Sequence, residues 1–329
     1  MNDYAVGVDL GGTKVATALV RRDGLVVDQE IEPTQKEKGF ENVIDRVGAS
    51  ICAMLERADS LVVGIGVGAA GSTDSQQGVV VAASNLGWEN VPLRDMLYER
   101  IGAEWRERIW VDKDTNAAVL GEMMYGAGHG SEHIFYVTVG TGIGGGMILD
   151  GSIYHGASDG ASDFGHLVLD PDGIVCGCGK RGCVETLASG VAIARMARKA
   201  LNTPDSTTIL SELDPGVITA HEVAVAAKNG DQLAIDIFTK AGYWLGRALA
   251  YYVDLNNPER IIIGGGVMGS GDLLLEPVRQ TTYKFALPNN AAAAKILPAG
   301  LGADSGVIGA AAFVWQHHKE SPQEYQEAI

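Results

Sequence analysis

Two periodicities alternate along the chain. The apolar segments "YAVGVDL" (4–10) and "KVATALV" (14–20) flank the loop "GGT", and "RRDG" turns the chain into "LVVDQEIEP" (25–33). Short β-branched runs bounded by turn residues predict strands. Phe40, Val43, Ile44, Val47, Ile51, Met54 and Leu55 then recur at helical spacing, predicting an amphipathic helix over 39–58. "SLVVGIGVG" (60–68) reads as a buried strand ending in glycine-rich turn signals, and "RIWVD" (108–112) as another strand. "TNAAVLGEMMYG" (115–126) reads as a helix closed by Gly126.

The pattern then restarts. "IFYVTV" (134–139) and "GGMILD" (145–150) predict strands around the loop "GTGIG". A helix-rich region follows, including "QLAIDIFTKAGYWLGRALAYYVDLNN" (232–257). "RIIIGGG" (260–266) predicts a strand and "SGVIGAAAFVWQHH" (305–318) a last helix, with a helical or frayed tail from Lys319. The strand–glycine loop–strand units at 6–20 and 135–150 look like an internal duplication. Duplicated α/β halves suggest two lobes closing on a shared cleft, because ligands of open α/β sheets gather at the carboxyl ends of strands.

Composition narrows the class. At 329 residues the chain is long enough for two domains, and 46% hydrophobic with 20% charged residues is ordinary for a soluble globular protein. A net charge of -16 repels nucleic acid but does not exclude a small phosphorylated ligand, since local backbone N–H groups and a metal override the net field. No apolar run reaches the ~20 residues of a membrane span, and the N-terminus has no signal-peptide pattern, so a cytoplasmic protein without a membrane partner is expected. There, clustered cysteines point to a metal rather than to disulfides. Cys52, alone in a helical pattern, reads as a small buried residue.

Several short motifs carry candidate chemistry. "DLGGTK" (Asp9, Gly11, Gly12, Thr13, Lys14) places glycines where backbone N–H groups can approach an anion, with Asp9 at a strand end able to hold Mg²⁺ through water; a plain glycine hairpin is the simpler reading. "VGTGIGGG" repeats the device in the second half, and two such loops at matching places favour a phosphate clamp. Neither is a Walker A loop, nor has the strand–GxGxxG–helix order. "VDKDTNAAVLGE" puts Asp112 and Asp114 between strand and helix, where a carboxylate is either a cap or a general base. Gly264, Gly265 and Gly266 after a buried strand allow a flat ring against the backbone, or simply make a turn. "GHLVLDPDGIVCGCGKRGCVE" (165–185) offers His166, Cys176, Cys178 and Cys183. One nitrogen and three sulfurs form a standard tetrahedral zinc set, which with four protein ligands is structural. The other histidines, His129, His133, His155, His221, His317 and His318, read as loop, surface and tail residues.

"VGVDLGGTK", "SNLGW", "DTNAAVLGE", "VGTGIGGG", "GH…CGCGKRGCVE" and "LGADSGVIGAA" follow one another in an order that resembles the ROK family (repressors, open reading frames, sugar kinases) over almost the whole chain. The resemblance is greatest to its glucokinase branch, in the actin-like ATPase superfamily. It implies a two-lobed actin-like ATPase (ribonuclease H-like) fold with duplicated α/β domains, expected at 1–120 plus 306–329 and at 121–305. It implies an ATP-dependent hexose 6-phosphotransferase, with glucose the first expectation, and a homodimer or homotetramer. Asp114 would be the base. Asp9, Gly11–Thr13 with Lys14, and the loop at Gly140, Thr141 and Gly142 would contact Mg²⁺ and phosphate, and Gly264–Gly266 would border adenosine. Asn85, Lys113, Asp163, His166 and Glu185 would meet sugar, His166 using one ring nitrogen for zinc and the other for sugar.

Two positions depart from the family pattern. Lys113 stands where the family usually has Asn before the base; it could depress the Asp114 pKa, bind a sugar hydroxyl or point to solvent. "SDFGH" replaces the usual "GE-x-GH", so Asp163 stands for a glutamate one methylene longer. Both leave open an amino, N-acetylated or other aldohexose. The family's transcription regulators carry a helix-turn-helix ahead of the first glycine loop, and the acidic charge points away from that class.

Overall fold

The structure is a computed structural model that describes residues 3–202 and 208–318; the tail from Lys319 lies outside the described residues. In chain order come β1 (Tyr4–Leu10), β2 (Lys14–Arg21), β3 (Val26–Pro33), α1 (Phe40–Arg57), β4 (Val62–Ala69), β5 (Ser72–Asp74), β6 (Val79–Ala83), β7 (Trp88–Val91), α2 (Leu93–Ile101), β8 (Ile109–Lys113) and α3 (Asp114–Tyr125). Then follow β9 (Ile134–Val139), β10 (Ile143–Leu149), β11 (Ser152–Ile153), α4 (Val184–Ala188), α5 (Gly190–Leu201), α6 (Ala220–Lys228), α7 (Gln232–Asn256), β12 (Arg260–Gly264), α8 (Asp272–Phe285), α9 (Pro288–Ala293), β13 (Lys295–Pro298) and α10 (Ser305–His317). The described residues fall into two compact units, one within Met1–Gly130, Ile153–Ala161 and Asp304–Ile329, the other within Ser131–Ser152 and Ser162–Ala303.

The first unit is built on a five-stranded sheet of order β3-β2-β1-β4-β8. β1 pairs antiparallel with β2 and parallel with β4, which pairs parallel with β8. The pleat sends alternate residues of β1 to opposite faces. Val6, Val8 and Leu10 join the core formed with Val43, Ile44, Val47, Ile51 and Met54 of α1. Gly7 and Asp9 face α10 instead, where a Cβ on Gly7 would overlap the Val307 carbonyl oxygen. Both faces of β1 and β4 are thus covered, which is why these strands read as nearly continuous apolar runs, whereas the edge strand β3 is largely solvent-facing and mixed.

The second unit repeats this topology. Its sheet runs β11-β10-β9-β12-β13, with β9–β10 antiparallel and β9–β12 and β12–β13 parallel. The hairpins at 4–21 and 134–149 occupy equivalent places, so the inferred duplication is real at the level of strand order. Phe135 stacks on Tyr252 at 3.6 Å between centroids and meets the edge of Phe164 at 5.1 Å, a trio that anchors the segment carrying His166.

Three expectations need correction. The segment between β4 and β8, to which the sequence pattern assigns no element, folds as a small antiparallel sheet, β5-β6-β7, followed by α2. β10 begins at Ile143, inside the stretch read as the second glycine loop. Cys52 is half-buried rather than buried.

Candidate functional site

The candidate base lies where the first sheet meets α3. Lys113 ends β8 and is the N-cap of α3, and Asp114 is the first helical residue. Capping does not account for these carboxylates. Lys113 makes no side-chain cap, while Asp112, outside the helix, accepts from the Lys113 N–H at 2.6 Å and the Asn116 amide at 2.9 Å through Oδ1. Asp114 accepts from the adjacent Thr115 N–H at 2.7 Å. Gly68 of β4 lies opposite Asp9 of β1 in the ladder, and a Cβ there would come within 3.4 Å of the Asp114 Cα. Asp9 and Asp114 therefore approach one another on the α10 face.

That approach shapes the electrostatics. Burial pushes the Asp114 carboxyl up to about 7; the Asp9 carboxylate adds to the rise, and Lys113 opposes it. Burial raises Asp9 as well, against the pull of Lys14. Lys113 is only 7% exposed, so of its three readings the one that points it to solvent is wrong. Two crowded carboxylates with raised pKa values are suited to a divalent cation and a proton transfer, not to a structural cap.

The first glycine loop and Asn85 come together in this unit. A Cβ on Gly12 would sit 2.9 Å from the Asn85 Cβ. The Gly11 N–H donates to the Lys14 carbonyl at 3.1 Å and the Gly11 carbonyl accepts from Thr34 Oγ1 at 2.7 Å, closing the turn. Thr13 and Lys14 are exposed beside it, and Lys36 Nζ donates to the Asn85 carbonyl at 2.6 Å.

In the second unit Glu185 ties two motifs together. One carboxylate oxygen accepts from the Ile143 N–H at 3.0 Å and packs where a Cβ on Gly142 would be; the other lies 3.8 Å from Cys176 Sγ. His166 Nδ1 is 3.6 Å from Cys176 Sγ, and Cys178 and Cys183 Sγ are 3.7 Å apart. The four ligand atoms all lie within 4.8 Å of one another. A tetrahedron with metal–sulfur bonds of about 2.3 Å has edges of about 3.8 Å, so the donor set fits zinc with little adjustment. Burial pushes the Cys183 thiol up to about 12, while the Lys180 backbone N–H lowers that of Cys178; a bound cation would take all three as thiolates. Asp163 is exposed at the start of the turn leading to His166.

A cavity of about 570 Å³ opens in the same unit. Gly140, Thr141 and Gly266 line it, but Gly142, Gly264 and Gly265 do not. Gly142 instead makes room for Glu185 and Gly264 for the Tyr136 hydroxyl; Gly265 has φ +89, a conformation that favours glycine. The N-termini of α5 and α6 open on the cavity together with Arg198, Lys228 and His221. Helix N-termini and cations give this wall a positive potential inside an acidic protein.

Sequence reading missed three participants. Gly306, in the first turn of α10, faces Asp9 so closely that a Cβ would lie 2.7 Å from its carboxyl carbon. His221 lines the cavity. His155, set down as a loop residue, donates from Nε2 to Asp112 at 2.7 Å. For Gly306 a signal existed, the glycine within "LGADSGVIGAA"; a lone histidine in a glycine-rich loop gave none.

Duplicated sheets, two glycine loops and a carboxylate at a strand-to-helix junction define a sugar-kinase-type ATPase fold. The ROK family model matches residues 5–317, and the chain belongs to that family. It is 39% identical over 311 residues, 93% of each chain, to a glucokinase of Halalkalibacterium halodurans, and 36% identical to a glucokinase of Thermotoga maritima, covering 94% of this chain and 96% of that one. It also matches, with a TM-score of 0.85 and 34% identity over 95% of this chain and 99% of the other, the crystal structure of a ROK family glucokinase from Streptomyces griseus in complex with glucose and AMPPNP.

Proposed function

We propose that this protein is an ATP-dependent hexose kinase that phosphorylates the 6-hydroxyl of glucose. The observation that carries the reading is Asp114: a carboxyl tuned to about 7 at a strand-to-helix junction, in a chain similar to glucokinases over nearly its whole length. A carboxyl raised towards neutrality can take a proton without being too weak a base. As the sugar O6 attacks the γ-phosphorus, its proton passes to Asp114; the O6–P bond forms, the P–O bond to ADP breaks, and ADP leaves with that electron pair. The glycine loops at Gly11–Thr13, with Lys14, and at Gly140–Gly142 are proposed to hold phosphate. The cavity bordered by Gly266 is proposed to hold the adenosine, with Gly264 and Gly265 shaping the strand end behind it.

Asp9 suits Mg²⁺, which would screen the phosphate charge. His166, Cys176, Cys178 and Cys183 suit a structural zinc, which would fix His166 and Glu185 at the ends of its loop. Asn85, Lys113, Asp163, His166 and Glu185 are proposed sugar contacts. The exposed apolar side chains of α7 and α8, including Tyr251 and the 83%-exposed Leu255, support a homodimer or homotetramer, checked by light scattering on the eluting protein.

The test is phosphorylation of a sugar panel with ATP, read as ADP release. Glucose should give the highest kcat/KM. Lys113 beside the base and the short Asp163 favour one second reading, an amino or N-acetylated hexose, which a higher kcat/KM for such a sugar would establish instead.

A further inference from the structure

Residues Ile153–Ala161 belong to the first unit although the chain on either side belongs to the second. Two polar anchors hold this loop. At its far end Asp159 accepts from the Ser75 N–H at 2.7 Å and the Ser75 hydroxyl at 2.8 Å through one oxygen. At its near end His155 Nε2 meets Asp112 Oδ2 at 2.7 Å. A carboxylate only accepts, so Nε2 is the protonated nitrogen.

The second anchor reaches the proposed base. Asp112 is 5% exposed and divides its two oxygens between two tasks. Oδ2 takes His155, and Oδ1 takes the Lys113 N–H and the Asn116 side chain. Lys113 N and Asn116 bracket Asp114, so the orientation of the Asp112 carboxylate sets the first turn of α3. Without His155, Oδ2 would lose this hydrogen bond and the carboxylate could rotate, taking Lys113 and Asn116 with it. The other charged or titratable groups around the pair are Asp114 and Lys113 on the strand-to-helix junction, Asp159 on the loop and His317 on α10, which stacks on Trp110 at 5.5 Å. Of the two histidines here, it is His155 that hydrogen-bonds to Asp112.

We propose that His155 is a positioning residue for phosphoryl transfer: by holding Asp112 it fixes the turn that aims Asp114 at the acceptor hydroxyl. The proposal rests on Asp114 being the base. Misplacing a reacting group by about 1 Å can cost on the order of 100-fold in rate, so the effect should fall on kcat.

Three variants separate the possibilities. His155→Leu removes the donor. His155→Gln keeps an N–H donor at nearly the reach of Nε2. Ser75→Ala loosens the loop at its other anchor and leaves Asp112 untouched. We expect His155→Leu to lower kcat by roughly 10- to 100-fold with the KM for ATP unchanged within about twofold, His155→Gln to recover to within about fivefold of the parent, and Ser75→Ala to stay within about threefold. Melting temperatures of all three establish that each is folded. The proposal is overturned if folded His155→Leu keeps its kcat, if His155→Gln is as impaired as His155→Leu, or if Ser75→Ala loses as much as His155→Leu, which would make general loop attachment the cause. Asp114→Asn, assayed alongside, distinguishes failure of the base assignment: retention of activity there removes the premise, whatever His155 does.

Discussion

At the scale of single residues, the site turns on how burial and neighbouring charge are set against one another. Asp114 pays for its reactivity in stability. Between its ordinary value of 3.8 and about 7 the folded protein holds a proton there that the unfolded chain has released. Stability from this group therefore falls as pH rises across that window and levels off above it. Asp114→Asn removes the charge and the dependence together. The variant should lose several orders of magnitude in kcat, while its melting temperature relative to the parent rises steadily from about pH 4 to pH 7. A loss of less than tenfold in kcat would show that Asp114 is not the base; a melting difference that stays flat with pH would show that its carboxyl is not held protonated by its surroundings. The carboxylate itself was legible, since Asp114 stands at a strand–helix junction. Its tuning was legible only in part: the adjacent Lys113 offered a charge that lowers the pKa, but the rise comes from burial and from Asp9, on a strand about a hundred residues earlier, which act only through the fold.

At the scale of elements, helix and strand periods carried the large pieces, and short strands escaped. β5, β6 and β7 are only three to five residues long, and they run from all-polar (Ser72–Asp74) to all-apolar (Val79–Ala83), so no period stands out. What no periodicity could express is the closeness of the packing around α10. A Cβ on Gly66 of β4 would overlap the Ala310 carbonyl oxygen, and one on Gly309 would overlap the Ala117 carbonyl oxygen of α3. Missing side chains, not interlocked ones, bring α3 and α10 onto β1 and β4, and with them Asp114 and Gly306 onto Asp9. The obstacle at Gly66 is backbone, which cannot swing aside, so Gly66→Ala should cost about 2–4 kcal/mol and lower the melting temperature by roughly 5–15 °C. Gly269→Ala is the comparison: its Cβ would have nothing within 4 Å, and its melting temperature should stay within about 2 °C of the parent. Equal effects of the two substitutions would refute the close-packed seam.

At the scale of the whole molecule, one sheet plan appears twice and the two copies have diverged in what they hold. The first copy carries the crowded carboxylates Asp9 and Asp114. The second carries the cavity, whose wall of two helix N-termini, Arg198 and Lys228 is locally positive in a chain of net charge -16. It also carries the Cys₃His set, a compact motif whose ligands sit within twenty residues in sequence and were legible for that reason. The sequence places Glu185 at the end of this clip; what it does not reveal is that the Glu185 carboxylate reaches from Cys176 to the Ile143 N–H at the start of β10. Removing the metal should therefore disturb more than the cysteine loop. In protein stripped by a strong chelator and compared with zinc-reconstituted protein, hydrogen exchange should rise across 165–188 and at the start of β10, and the KM for glucose should rise by about 10-fold or more. β1 and β4, in the other unit, should exchange as before, because the four candidate ligands His166, Cys176, Cys178 and Cys183 all lie in the second unit. Unchanged exchange around β10 with a raised KM would place the effect on His166 alone, and unchanged KM with unchanged exchange would mean that the four side chains hold their geometry without a metal.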